Sequence, residues 1–345
     1  MKDDFSYIDK SENELRRHFM DQGKPETFNE DFQLRIKSYI NQYKELLIEN
    51  EITDKPFTVK EIKSCISKMK LAKSPGPDLI LNEIIKYSSV VTCKSLAKLF
   101  NLILETGNYP EIWRKSFTIL IFKSVERSDL NNYRGISLQN NMAKLFSSLL
   151  NTRLNLFYEN KFASQQFGFR ANHRTTDSIF IMKTLISKYL NKKKQKIFAC
   201  FVDLRKAFDS LEYNGLFYKL IKGNIGSKFY NIISDMYSCN QSAVKIDNEY
   251  SKFFELVRGV KQGDSLKPTL FNCFIYDIHD IFDNSCDPVT LVDSKIPSLS
   301  FADDLVLLSS SHSGLQNALN KLEQYCYDWQ LTVNIKKNKS YDFSE

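Results

Sequence analysis

Ser298-Leu299-Ser300-Phe301-Ala302-Asp303-Asp304-Leu305-Val306-Leu307-Leu308 is a pair of apolar, strand-like runs with adjacent carboxylates at the point where the chain turns back. Asp is depleted from strands and neighbouring like charges repel, so a tight hairpin presenting both acids needs compensation. A divalent cation provides it, although an isolated Ala-Asp-Asp reads equally well as a solvated turn whose acids only break the strand. A second acidic strand end favours the cation. Ile197-Phe198-Ala199-Cys200-Phe201-Val202-Asp203 is a buried-looking run ending in an acid, and it passes through Leu204-Arg205-Lys206 into a helix-like Ala207-Phe208-Asp209. Asp203 and Asp303 are 100 residues apart, so only the fold can join them. Two-metal phosphoryl transfer asks for this arrangement: carboxylates from separate strands hold two cations about 3.5–4 Å apart, at the attacking and the leaving oxygen. Hard Mg²⁺ suits one or two such carboxylates plus substrate phosphates.

Further motifs stand around these acids in a fixed order. Lys73-Ser74-Pro75-Gly76-Pro77-Asp78 comes first, then Phe122-Lys123 with Tyr133-Arg134-Gly135-Ile136-Ser137, then Gln166-Phe167-Gly168-Phe169-Arg170 with Arg174-Thr175-Thr176-Asp177. The Asp203 run follows, then Arg258-Gly259-Val260-Lys261-Gln262-Gly263-Asp264-Ser265-Leu266, Phe301-Ala302-Asp303-Asp304 and Asn334-Ile335-Lys336-Lys337. Over roughly residues 56 to 343 the series resembles the reverse transcriptase domain of non-LTR (LINE-type) retrotransposons. The resemblance implies an α+β right-hand polymerase: an N-terminal helical extension over 1–55, fingers over 56–196, and a palm over 197–345 with some finger elements interleaved. It implies RNA-directed DNA polymerase activity, with an RNA template, a DNA primer, dNTPs, and two Mg²⁺ ions for which Mn²⁺ can substitute.

The site residues follow from the same resemblance. Asp203, Asp303 and Asp304 are the catalytic acids and metal ligands, with orientation of the site without lasting metal contact as the alternative for Asp304, and the Leu204 carbonyl is a further oxygen ligand. Phe208, five residues after Asp203, matches the aromatic that closes on the sugar C2′ and excludes a 2′-hydroxyl; a core aromatic is the plainer reading. Lys123 and Arg134 match residues that grip the triphosphate, where an Arg fork suits phosphate oxygens, though either can be a solvated surface charge. Gln262 and Gly263 match a turn approaching nucleotide and template. Lys337 matches a lysine that protonates departing pyrophosphate, against a solvated Lys336-Lys337-Asn338-Lys339 run. Gly135 stands where many relatives have Pro, Lys267 where Ser is usual, and Asn338 where Thr or Ser is common. The primer grip and thumb are expected beyond residue 345, and an upstream endonuclease would need far more than 55 residues. A truncated, inactive remnant that only binds RNA is therefore the alternative.

Composition sets wider bounds. The 345 residues suffice for a large core and two or three subdomains, and 42% hydrophobic with 26% charged residues fits a soluble globular protein. A net charge of +7 suits a polyanionic partner without demanding one. The basic run Lys192-Lys193-Lys194-Gln195-Lys196 is a solvated loop or a phosphate-backbone track. Seven scattered cysteines and four dispersed histidines carry no disulfide or zinc spacing and suit a reducing compartment. No apolar run of membrane length is present and Met1-Lys2-Asp3-Asp4 is no signal peptide, so the expected location is the nucleus or cytoplasm, without membrane contact or secretion.

Periodicity predicts the elements. Helical runs are expected from Phe32 to Ile48, after a Thr58/Glu61 capping box, through Leu96–Leu104 and Met142–Leu150, and from Leu315 to Trp329, with Pro75-Gly76-Pro77 ending the second. A hairpin is expected around Asp247-Asn248, and a short strand over Leu331 to Ile335. The order strand, helix, hairpin, helix, acidic hairpin, helix, strand gives an antiparallel sheet backed by helices.

Overall fold

The computed structural model describes residues 10–123, 126–191, 196–247, 249–335 and 339–343. Lys336, Lys337, Asn338 and residues 192–195 of the basic run lie outside them. The described strands are β1 (Lys115–Phe122), β2 (Tyr133–Gln139), β3 (Ile197–Asp203), β4 (Asn240–Ile246), β5 (Glu249–Tyr250), β6 (Phe254–Leu256), β7 (Val289–Leu291), β8 (Ser294–Ile296), β9 (Ser298–Phe301), β10 (Asp304–Ser309) and β11 (Lys339–Phe343). Before β1 run α1 (Glu12–Met20), α2 (Glu30–Tyr43), α3 (Val59–Lys68), α4 (Asn82–Lys86), α5 (Val90–Thr106) and α6 (Glu111–Arg114). After β2 come α7 (Asn141–Tyr158), α8 (Thr175–Leu190), α9 (Ala207–Ser210), α10 (Tyr213–Lys222), α11 (Ser227–Tyr237), α12 (Lys267–Phe274) and α13 (His312–Trp329). None of these helices is long and apolar enough to cross a membrane.

Helix starts follow local chemistry. The Thr58 hydroxyl accepts from the Glu61 N–H while the Glu61 carboxylate accepts from the Thr58 N–H, a reciprocal cap that starts α3. Glu61 also pairs with the buried guanidinium of Arg153 on α7 at 3.1 Å, which locks α3 against α7. Leu145, Phe146, Leu149, Leu150 and Leu154 recur at helical spacing along α7 and are all buried, each contributing about 1.5–3 kcal/mol through burial. They join Leu96, Phe100 and Leu104 of α5 and Leu322, Cys326 and Trp329 of α13 in one core.

Two larger sheets complete the fold; the wholly antiparallel one packs on this core, and the other is closed by a separate cluster with α1. One has the order β2-β1-β4-β5, with β6 also on β4, and its β1–β4 pair is parallel, Lys115 opposite Gln241. The other has the order β11-β3-β10-β9 and is wholly antiparallel. Cys200, Val202, Leu305 and Leu307 turn to the helical core, while Ile197, Ala199, Leu299 and Leu308 form a second cluster with Leu185 and Tyr189 of α8. That second cover stops short of the strand end: Phe201, two residues before Asp203, is 42% exposed. The antiparallel sheet therefore opens to solvent where its acids stand.

The strand expected over Leu331 to Ile335 is not formed. Leu331 is buried beneath α13, Val333 makes an isolated bridge with Leu204, and the second partner of β3, beside β10, is β11 instead. Alternation of Leu331 and Val333 signals burial, but pairing with β3 is confined to the one Leu204–Val333 bridge, made by Asn334 N–H to the Asp203 carbonyl and Arg205 N–H to the Thr332 carbonyl.

Candidate active site at the end of the central sheet

Asp203 is the last residue of β3 and Asp304 the first of β10, and the two are direct register partners. Opposed residues of an antiparallel pair share a face with Cβ atoms about 4.5–5.5 Å apart, so these carboxylates sit side by side. Asp303 belongs to the turn, next to Ala302, which holds a left-handed φ of 60°. Burial pushes the Asp303 carboxyl up from the ordinary range, and the charges of Asp304 and Asp203 add to the rise while Lys267 opposes it. The Asn334 amide donates to Asp203 Oδ2 at 2.7 Å and the Asn334 N–H to the Asp203 carbonyl at 2.8 Å, fixing that side chain. The bridge between Leu204 and Val333 closes through the Asp203 carbonyl and the Arg205 N–H, so the Leu204 carbonyl is not spent on it. Hard oxygen donors in a like-charged group fit a divalent cation. Among the described residues, however, no three His, Cys, Asp or Glu side chains converge as a ready-made metal cluster.

The acidic turn rests on Gln166-Phe167-Gly168. Gln166 Oε1 accepts from the N–H groups of Ala302 at 3.0 Å and Gly168 at 2.8 Å, and its Nε2 donates to the Ala302 carbonyl at 3.2 Å. One buried amide thus satisfies both main-chain groups of the left-handed residue. A Cβ on Gly168 would stand 2.1 Å from the Ala302 nitrogen, so only glycine lets the two segments touch. Asn272 of α12 donates to the Gly168 carbonyl from the far side.

Phe208 follows in α9, half-buried against the core, with the Phe271 ring centroid 4.5 Å away, the Phe169 ring edge-on at 6.0 Å and the Lys267 ammonium 4.6 Å from its own centroid. Asp209 is held from two sides, by Gln22 at 3.0 Å and by Gln262 at 3.4 Å. Gln262 also docks on β2, where its carbonyl accepts from the Ser137 N–H, and Gly263 beside it takes φ +112°, a region that strains any side chain. Arg134 lies exposed on β2, within electrostatic reach of Lys267, and Lys123 lies exposed beyond β1, within reach of Lys206. The structure thus brings Asp203, Asp304 and Asp303 together at one sheet end; Lys267 links Asp303, Phe208 and Arg134 by contact or charge, Gln262 reaches Asp209, and Lys123 stands apart near Lys206. Lys337 is outside the described residues. An open groove of about 1110 Å³ runs beside the strand end between residues 18–27, α13 and residues 331–335; Asn334 lines it, but none of the three acids does.

Sequence reasoning left Gln166, Asn334 and Gln22 without individual roles. Gln166 and Asn334 stand inside quoted motifs, which was the available signal; Gln22 carries none.

An antiparallel sheet with helices behind it and paired carboxylates at adjoining strand ends defines the class of mixed α/β protein to which this chain conforms. A family model described as reverse transcriptase (RNA-dependent DNA polymerase) matches residues 123–342, and the chain belongs to that family. It is 27% identical over 341 residues to the RNA-directed DNA polymerase from mobile element jockey of Drosophila melanogaster, covering 93% of this chain and 36% of that protein. It is 30% identical to the probable RNA-directed DNA polymerase from transposon BS of the same organism, covering 86% and 34%. With the Pol polyprotein from the type-2 retrotransposable element R2DM it shares 28% identity, covering 79% and 25%. The chain thus spans about a third or less of these curated relatives.

Proposed function

We propose that this chain is the catalytic core of an RNA-directed DNA polymerase of the non-LTR retrotransposon type, adding dNTPs to the 3′-hydroxyl of a DNA primer on an RNA template. The observation that carries the reading is the register pairing of Asp203 with Asp304, with Asp303 in the adjoining turn. In this reading residues 56–196 serve as fingers and 197–345 as palm, the finger sheet borrowing β4, β5 and β6. Asp203, Asp303 and Asp304, with the Leu204 carbonyl, would hold two Mg²⁺ or Mn²⁺ ions, which when bound activate the primer hydroxyl and stabilise the leaving pyrophosphate. Asn334 keeps Asp203 in one orientation, and Gln166 keeps the Ala302-Asp303 turn from relaxing. Arg134 and Lys123 supply fixed positive charge for the triphosphate, and Lys337 a proton for its leaving group. The Phe208 ring forms the wall against a 2′-hydroxyl, and Gln262-Gly263 approaches nucleotide and template. No transmembrane helix is needed for this work, and the location expected is the nucleus or cytoplasm.

The test is primer extension on an RNA template by the intact chain and by its Asp303→Asn variant. Incorporation should fall by several orders of magnitude, while the unfolding midpoint stays equal or rises, because a mutually repelling charge is removed. Extension at the wild-type rate would overturn Asp303 as a ligand. RNA binding without extension by the intact chain would favour the remnant reading.

A further inference from the structure

Lys267 is out of place by every local rule. It opens α12, where the preceding Leu266 offers no side-chain cap and where a cation opposes the positive end of the helix dipole. The lysine is half-buried, and among the described residues its ammonium makes no ion pair within 4 Å. It sits over the face of Phe208, 4.6 Å from the ring centroid. Phe271, one helical turn further along α12, packs on the same ring at 4.5 Å. Burial draws the ammonium down to about 8, Asp209, Asp303 and Asp264 pull the other way, and Arg134 adds to the fall, so the charges of the acids and of Arg134 both act on this group.

We propose that Lys267 is a specificity-determining residue, one that pins the Phe208 ring from above through a cation–π contact and so sets how strictly the site rejects a 2′-hydroxyl. The inference rests on the reading of Phe208 given above. A ring held by Phe271, the edge of Phe169 and one side against the core can still tilt when its other face is unconfined, and a tilted ring leaves volume for the extra oxygen. A cation over the ring face confines it without filling that volume.

The experiment compares wild type, Lys267→Met, Lys267→Gln and Lys267→Arg, with and without Phe208→Ala, in the intact chain bound to an RNA template and DNA primer. Two readouts are taken: the kcat/KM ratio for ATP against dATP, and equilibrium binding of each nucleotide to complexes whose primer lacks a 3′-hydroxyl. Met and Gln, which keep the stem and lose the charge, should raise ribonucleotide use and binding about three- to tenfold relative to deoxyribonucleotide. Arg should restore the wild-type ratio. In the Phe208→Ala background Lys267→Met should change nothing further, because its effect passes through the ring. Relaxation by Phe208→Ala alone, with Met and Gln both at the wild-type ratio, would overturn the role of Lys267. An additional loss in the Phe208→Ala background would overturn it as well, by showing action elsewhere. No effect of Phe208→Ala on either readout would remove the gate itself, and the proposal with it.

Discussion

The amide of Gln166 is committed through both its oxygen and its nitrogen beneath the acidic turn. It is 4% exposed and makes three hydrogen bonds, two of them to the residue whose left-handed backbone lets the strands reverse. Each buried main-chain group left unsatisfied costs about 1–3 kcal/mol. Gln166→Leu, of similar volume, should therefore destabilise the protein by about 3 kcal/mol or more in denaturant unfolding, while Gln166→Glu, which keeps the acceptor and loses the donor to Ala302, should cost less. An equal loss in the two variants would assign the effect to packing. The acids themselves were legible because a carboxylate at the end of an apolar run conflicts with strand propensity and invites explanation. A glutamine before Phe167 conflicts with nothing, and its partner Ala302 lies 136 residues away, so only coordinates reveal the clamp.

At the scale of an element, β9 is held from behind by His279. Its Nδ1 and Nε2 hydrogen-bond the hydroxyls of Ser298 and Ser300 at 2.8 and 2.9 Å, and burial lowers its pKa from 6.5 to about 4. Because the folded value lies below the unfolded one, the contribution is complete above pH 6.5 and is lost as pH falls toward 4. Unfolding free energy should drop by about 2 kcal/mol from this group between pH 7 and 5, and His279→Gln, whose amide can still reach one hydroxyl, should flatten that part of the profile. An unchanged slope in the variant would locate the pH sensitivity elsewhere. Long elements were legible where a stripe ran for several turns, as in α7 and α13. The Leu331 to Ile335 segment misled because two alternating apolar residues look alike whether they join a ladder or plug a helix end: Leu331 closes the end of α13, and only a single bridge at Val333 reaches the chain after β3.

At the scale of the molecule, α1 and the segment after it form a strap across the β1-β2-β4-β6 sheet. Leu15 and Phe19 close a cluster with Leu120, Tyr133, Val244 and Phe254, and beyond them Gln22 reaches Asp209 while Arg258 holds the Gly23 carbonyl. Phe19 occupies the space over Gly135, where a Cβ would come within 2.7 Å of the ring, which gives a steric reason for glycine at a position that many relatives fill with proline. Phe19→Ala should cost about 3–5 kcal/mol, measurable by thermal or denaturant unfolding, and a loss under 1 kcal/mol would mean that the strap is only draped over the sheet.

The strap's partners also fix a timetable for assembly. Asp209 follows Gln22 by 187 residues, and Lys252, whose N–H binds the Glu12 carboxylate, follows Glu12 by 240. On the ribosome, α1 is made long before anything it can cover, so its apolar face stays exposed to solvent or to chaperones until β4 and β6 have emerged. Contacts of such sequence separation form late and slowly in refolding. The α3–α5–α7 core can form first, and the fastening of α1 is then among the last steps of folding.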